Sequence, residues 1–172
     1  MRLLVTGASS FVGAHFCRLA SREHYVYGQY FSTPLRLPHI QPVRLDLTHS
    51  MAATRLQELD VDVVVHIACK IKGQPQDGED VAAAALRENQ QMMSSILSMK
   101  KAMVYASSTV VHWQSDAPYV QSRRQDEERL MNSGLDYVIL RPSAPYGPRL
   151  RNHCPRHKES FHTLTDLIQR SP

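Results

Sequence analysis

Two groups of residues in this chain have types and spacing that could do chemistry. Gly7 and Gly13 bracket the small residues Ala8-Ser9-Ser10, between the apolar Leu3-Leu4-Val5 and an amphipathic stretch beginning at Phe11. Strand, tight turn, helix: that order brings backbone N–H groups and the positive end of a helix to one point, where a phosphate can be held. Gly7 permits the turn, and Gly13 permits close packing of helix on strand. Between them, where the backbone would approach a pyrophosphate, stands Ser10. Its hydroxyl can donate a hydrogen bond, but its Cβ restricts the approach. The second group is Tyr119 and Arg123, four residues apart on one helical face. A phenol transfers a proton near neutrality only if its pKa of about 10 is lowered. A cation about 5 Å away, at an effective dielectric near 20, contributes roughly 3 kcal/mol, or about two pKa units. Arginine supplies that charge in a planar fork bulkier than an ammonium. A tyrosine and an arginine at this spacing are also a common surface pair, and the residues alone allow both readings.

The elements that must position these groups are legible. Strands are expected at Arg2–Thr6, Tyr25–Tyr30, Val43–Leu45, Val61–Ile67, Ala102–Ala106 and Tyr137–Leu140. Helices are expected at Phe11–Arg22, Met51–Glu58, Glu79–Met99 and Tyr119–Ser133, with a short one at Phe161–Gln169. Continuous apolar runs such as Val63-Val64-Val65 suit strands covered on both faces. Alternating strands and helices imply a parallel sheet with crossover connections. Gly134 is placed to end the fourth helix. Pro34, Pro38 and Pro42 mark an irregular link. Met92, Met93 and Met99 read as core or interface residues, and the lone Trp113 as a packing residue.

The 172 residues suffice for one domain with a sizeable core, and 21% charged residues is ordinary for a globular protein. No apolar run is long enough for a membrane span, and Met1-Arg2 leads straight into a strand, leaving no room for a signal peptide. Net charge is +4, without a basic stripe interleaved with aromatics, which argues against nucleic acid as partner. Arg149, Arg151, Arg156 and Lys158 form a basic cluster, either a solvated loop or an anion site. Cys17, Cys69 and Cys154 lack a disulfide framework's spacing and point to a reducing, cytoplasmic setting. His153, Cys154 and His157 lack a fourth ligand at zinc spacing. No GxSxG elbow supports a hydrolase.

Thr6-Gly7-x-x-Ser10-Phe11-Val12-Gly13 resembles the TGxxGFxG element of extended short-chain dehydrogenases/reductases, the NAD-dependent nucleotide-sugar epimerase/dehydratase group. Further segments agree in order. Asp46-Leu47 follows the third strand, where the family contacts adenine. Asp62 to Ala68 is similar to the fourth strand, and Asn89 matches a family asparagine. Val104 to Val111 resembles the strand carrying the catalytic serine, with Ser108 at its position and Ser107 and Thr109 as near alternatives. Tyr119-Val-Gln-Ser122-Arg123…Glu127 resembles YxxSK…E, with arginine where the family has lysine. Leu140 to Pro148 is close to LRPxxxYGP.

The resemblance implies a Rossmann-type doubly wound parallel sheet: an NAD(P)-binding domain at residues 1–150, then the start of a truncated substrate-binding segment at 151–172. It implies Ser108, Tyr119 and Arg123 as catalytic residues. It implies cofactor contacts from Gly7, Ser9, Ser10, Phe11, Val12, Gly13, Tyr30, Ser32, Arg36, Asp46, Leu47, Ile67, Ala68, Cys69, Asn89, Tyr119, Arg123, Pro142 and Ser143. No acid follows the second strand to accept from a ribose 2′-hydroxyl, while Ser32 and Arg36 could meet a 2′-phosphate, so NADP is expected ahead of NAD. The expected substrate is a nucleotide-activated sugar, and the expected assembly a homodimer pairing the helices that carry Asn89 and Tyr119. The short link from His112 to Pro118 departs from many relatives. Two functions follow: an epimerase, dehydratase or reductase working by hydride transfer, or an NAD(P)-binding module without catalysis serving regulation or assembly.

Overall fold

The computed structural model describes residues 1–150 and 160–170. Within them, β1 (Arg2–Thr6), β2 (Tyr25–Tyr30), β3 (Gln41–Arg44), β4 (Val63–His66), β5 (Ala102–Ala106) and β6 (Tyr137–Leu140) form one sheet in the order β3-β2-β1-β4-β5-β6. Every neighbouring pair is parallel. Helices α1 (Phe11–Ala20), α2 (Ala52–Gln57), α3 (Val81–Leu97) and α4 (Pro118–Met131) lie in the crossovers, and α5 (Ser160–Arg170) follows β6. The architecture is Rossmann-type doubly wound α/β.

Side chains alternate across the sheet, so its register builds two core layers. Leu4 pairs with Val64, and Val64 with Met103. These three point to one face and pack with Leu56, Met92, Met93, Ile96, Met99 and Leu130. Leu3, Val5 and Val65 point to the other, with Cys17, Val26 and Ile40. The three expected core methionines are buried accordingly.

Element ends shift for local reasons. β3 starts before Pro42, because an edge strand tolerates a residue without an N–H. α3 starts at Val81, where Asp80 caps it by accepting from the N–H groups of Ala82 (2.8 Å) and Ala83 (2.7 Å). α4 starts at Pro118, a residue suited to a first helical position, and ends at Met131 with Gly134 at φ +72° just beyond. Trp113, expected to pack, is 60% exposed.

The order in which strands are added to the sheet reverses at β1, flanked by β2 on one side and β4 on the other. In such sheets the crevice beyond the carboxyl ends of the strands at this switch point receives ligands. Thr6 and His66 are the last register pair there, and the β1–α1 turn rises directly above them.

Candidate functional site

The β1–α1 turn is packed as tightly as its glycines suggest. Gly7 has φ +65°, and a Cβ on it would come within 2.9 Å of the Ala68 backbone. A Cβ on Gly13 would lie 2.2 Å from the Gly7 carbonyl oxygen. Ser10 is the N-cap of α1, its Oγ accepting from the Gly13 N–H at 3.0 Å. A hydroxyl that accepts one bond can still donate another. Gln29 (3% exposed) supports the turn from β2: its Oε1 accepts from Gly7 N at 3.0 Å, its carbonyl accepts from Ala8 N at 2.9 Å, and its Nε2 donates to Leu45 O. A cradle of backbone, a helix N-terminus and a hydroxyl, with no acid from Gly7 to Ala14, fits the pyrophosphate of a dinucleotide.

Below the turn, a buried polar chain crosses the sheet. Thr6 Oγ1 accepts from the N–H groups of Ile67 (3.1 Å) and Ala68 (3.2 Å), which fills both lone pairs. Its proton therefore goes to His66 Nδ1, 2.7 Å away, and the His66 ring carries its own proton on Nε2. Burial, with the nearby Arg123 charge, pushes the His66 pKa down to about 3, so the ring is neutral. It stacks on Tyr105 at 5.7 Å between centroids.

Tyr105 leads to the expected catalytic helix. Its hydroxyl donates to Asp126 Oδ2 (2.9 Å), which also accepts from Arg123 Nη2 (3.2 Å). Arg123 and Asp126 are each 1% exposed. The guanidinium carbon lies 5.2 Å from the Tyr105 ring centroid and 5.6 Å from that of Tyr119, and Nη1 donates to Ala106 O at 3.4 Å. Burial works against the Arg123 charge, but the acidic groups around it, the Asp126 carboxylate among them, hold its pKa above the usual arginine value. The surface-pair reading of Tyr119 and Arg123 therefore fails, because the arginine is buried beneath the tyrosine. Ser108 (6% exposed) follows β5 and caps a 3₁₀ turn at Thr109–His112 that packs on α4, its Oγ accepting from Val110 N at 3.4 Å.

The sequence of this chain matches that of the NAD dependent epimerase/dehydratase family over residues 3–170. The chain belongs to that family. Comparison with curated protein sequences returns no match. Among solved structures, the fold is similar to that of Bordetella bronchiseptica WbmH in complex with NAD+ (23% identity, TM-score 0.69, covering 87% of this chain and 58% of that one). It is also similar to UDP-glucuronic acid 4-epimerase from Bacillus cereus in complex with NAD (24%, 0.64, 88% and 59%). A third is UDP-N-acetylglucosamine 4-epimerase from Methanobrevibacter ruminantium M1 in complex with UDP-N-acetylmuramic acid (20%, 0.71, 98% and 63%). The chain thus spans about three fifths of the length of these structures.

Not every expected residue of this epimerase/dehydratase-family chain points a free side chain at the crevice. Asn89 is committed to the loop after β4: Oδ1 accepts from Lys70 N (2.9 Å) and Nδ2 donates to Lys70 O (2.8 Å). Leu47, expected at the adenine, is 2% exposed within the core, because its backbone turn directs the side chain inward. Asp46 Oδ1 accepts from the Thr48 N–H and hydroxyl. Phe11 is buried edge-on against His15 and His162, while Val12 is exposed. Ser9, Tyr30, Ile67, Ala68 and Cys69 are half-buried around the switch point, with the Cys69 thiol raised by burial. Ser32, Arg36, Pro142 and Ser143 are exposed, and Pro142 O accepts from Thr109 N beside Ser108. His153, Cys154, His157, Arg151, Arg156 and Lys158 lie outside the described residues, among which no group of side chains could hold a metal ion. No helix among the described residues is long and apolar enough to cross a membrane.

Sequence reasoning missed Gln29, His66, Asp126 and Arg124. Arg124 pins the short link before α4 by donating to the carbonyls of Val111 (2.9 Å), Trp113 and Ser115 (3.3 Å). For Asp126 a signal existed in its spacing: it lies three residues after Arg123, and the structure buries Ser122, Arg123, Asp126 and Glu127 together on the inner face of α4.

Proposed function

We propose that this chain binds a nicotinamide dinucleotide across the β1–β4 crevice and uses Tyr119 to move a proton to or from the hydroxyl of a nucleotide-activated sugar. The single observation that carries the reading is the buried Arg123 guanidinium 5.6 Å from the Tyr119 ring, at the carboxyl end of a sheet whose first turn is a phosphate cradle. Gly7 and Gly13 let the backbone close around the pyrophosphate, and Ser10 donates to it. When bound, the nicotinamide takes up or returns a hydride at the sugar carbon. Ser108 orients the sugar oxygen, and Tyr119 holds and returns its proton, with Arg123 supplying positive charge beneath the phenol.

The relatives described with a cofactor hold NAD, which lends no support to the NADP preference drawn from Ser32 and Arg36. The proposal therefore covers NAD(P) as a class. Equilibrium titration with NADH and NADPH, followed by their fluorescence, ranks the two. A cytoplasmic setting and a homodimer through α3 and α4 remain part of the proposal, the first resting on the cysteines and the second on the family resemblance.

A second reading has one observation in its favour. Arg123 is clamped by Asp126 at 3.2 Å, which diverts charge from Tyr119 and suits a module that holds the dinucleotide without turnover. Incubation with NAD(P) and UDP-glucuronic acid or UDP-N-acetylglucosamine, monitored for cofactor reduction and epimeric product, separates them. Tight dinucleotide binding with no product would sink the enzymatic reading and leave the module.

A further inference from the structure

Beneath Tyr119 the cation is one half of a buried pair, and the other half is the residue whose purpose is unassigned. Asp126 lies three residues after Arg123 on α4 and receives two hydrogen bonds on one oxygen, from Arg123 Nη2 (3.2 Å) and the Tyr105 hydroxyl (2.9 Å). Both charged residues are 1% exposed, so neither charge is shielded by water. The guanidinium carbon lies 5.6 Å from the Tyr119 ring centroid, and Nη2 lies 3.2 Å from the carboxylate.

We propose that Asp126 is a positioning residue that holds Arg123 beneath Tyr119 and offsets its charge, so that the pair, rather than Arg123 alone, sets the pH at which the Tyr119 hydroxyl gives up its proton. The inference rests on the reading of Tyr119 above and adds a control to it. An opposite charge within about 4–6 Å shifts an acid by about 1–3 units, and a carboxylate at salt-bridge distance behind that charge removes much of the effect.

The groups facing this position come from three elements and a loop. From β4 comes His66, neutral because burial and Arg123 oppose its protonation. The loop after β4 brings Cys69, and β5 brings Tyr105, both raised chiefly by burial and so uncharged. From α4 come Arg123 and Asp126, with Arg129 behind Asp126 and engaged by Gln90 O and Ser94 Oγ. Burial raises the Asp126 carboxyl, while Arg123 and the Tyr105 hydroxyl hold that rise in check. Arg123 and Asp126 are therefore the buried charged pair of this described cluster, and Arg123 is the member that meets the Tyr119 ring.

The test is a pH titration of tyrosine Cζ signals in ¹³C-labelled protein, with the Tyr119 signal identified by its loss in Tyr119→Phe. Asp126→Asn leaves the guanidinium unbalanced and should lower the Tyr119 midpoint by about one unit or more. Because a lone buried cation can compromise folding, the double variant Arg123→Met/Asp126→Leu is titrated beside it. Removing both charges together should leave the midpoint within about half a unit of wild type. An unmoved midpoint in folded Asp126→Asn would overturn the proposal. So would a rise of more than about one unit in the double variant, which would mean that the Arg123 charge reached Tyr119 unshared. The titration reads the phenol without turnover. A lowered midpoint with no product from any nucleotide sugar would keep this inference and remove the enzymatic function; product with an unmoved midpoint would do the reverse.

Discussion

The two ends of the crevice are built from opposite materials. At the β1–α1 turn, the ligand-facing surface is backbone: glycines with no room for a Cβ, first-turn N–H groups and one capping hydroxyl. At α4, it is side chain: a phenol above a guanidinium, clamped from behind by a carboxylate and a second phenol. A backbone cradle tolerates no added atom but needs no ionisation state. A buried side-chain cluster tolerates modest changes in shape yet depends wholly on which groups carry charge. The first end should thus fail by sterics and the second by electrostatics.

The largest effect expected is at the second end. Tyr119→Phe removes only a hydroxyl, so it should cut turnover by about 10²–10⁴-fold while changing dinucleotide affinity far less. Steady-state kinetics beside cofactor titration would show it. Equal losses in both would mean that Tyr119 only binds.

At the cradle, Gly13→Ala places a Cβ 2.2 Å from the Gly7 carbonyl. Backbone is what it meets, so there is no flexible side chain to yield. The expected loss is about 3 kcal/mol of folding stability, measured by urea unfolding, together with dinucleotide binding. A stable variant that still binds would show the turn to be looser than its geometry.

His66 joins the two ends and offers a pH test. Its folded pKa, about 3, lies below the unfolded value. Its neutral-state contribution is therefore complete above about pH 6.5 and is lost as pH falls towards 3, at about 1.4 kcal/mol per unit. Between pH 6.5 and 5 the wild type should lose about 2 kcal/mol more than His66→Asn. Matching slopes would mean that His66 titrates normally.

The same contrast explains what the sequence reveals. All six strands and the glycine turn are visible because they depend on local pattern: apolar runs, small residues, a helix following. The Thr6–His66–Tyr105–Asp126–Arg123 chain is invisible as a unit, since its members come from β1, β4, β5 and α4 and meet only when the sheet pairs them. Arg123 read alone resembles a solvent-exposed helix residue; Asp126 is what keeps it inside. For Leu47 the sequence located the segment, but the direction of its side chain into the core is decided by packing against α3, where Ser95 Oγ donates to its carbonyl.

Ser10 is the place where the two materials meet, a side chain inside a backbone site, and it offers the finest test. Its Oγ satisfies the Gly13 N–H at 3.0 Å, so Ser10→Ala should cost about 1 kcal/mol by leaving that donor uncapped. Ser10→Gly should cost only a few tenths of a kcal/mol, because glycine is itself an acceptable N-cap. The two variants differ in one Cβ, and that atom is what limits approach of a pyrophosphate. If the cradle is limited by sterics, Ser10→Gly binds the dinucleotide a few-fold more tightly than Ser10→Ala despite lacking the same hydroxyl. Equal weakening in both would instead leave the hydroxyl's hydrogen bond to the phosphate as the whole of Ser10's effect, with no steric limit from its Cβ, and the turn would then share the side-chain character of the α4 end.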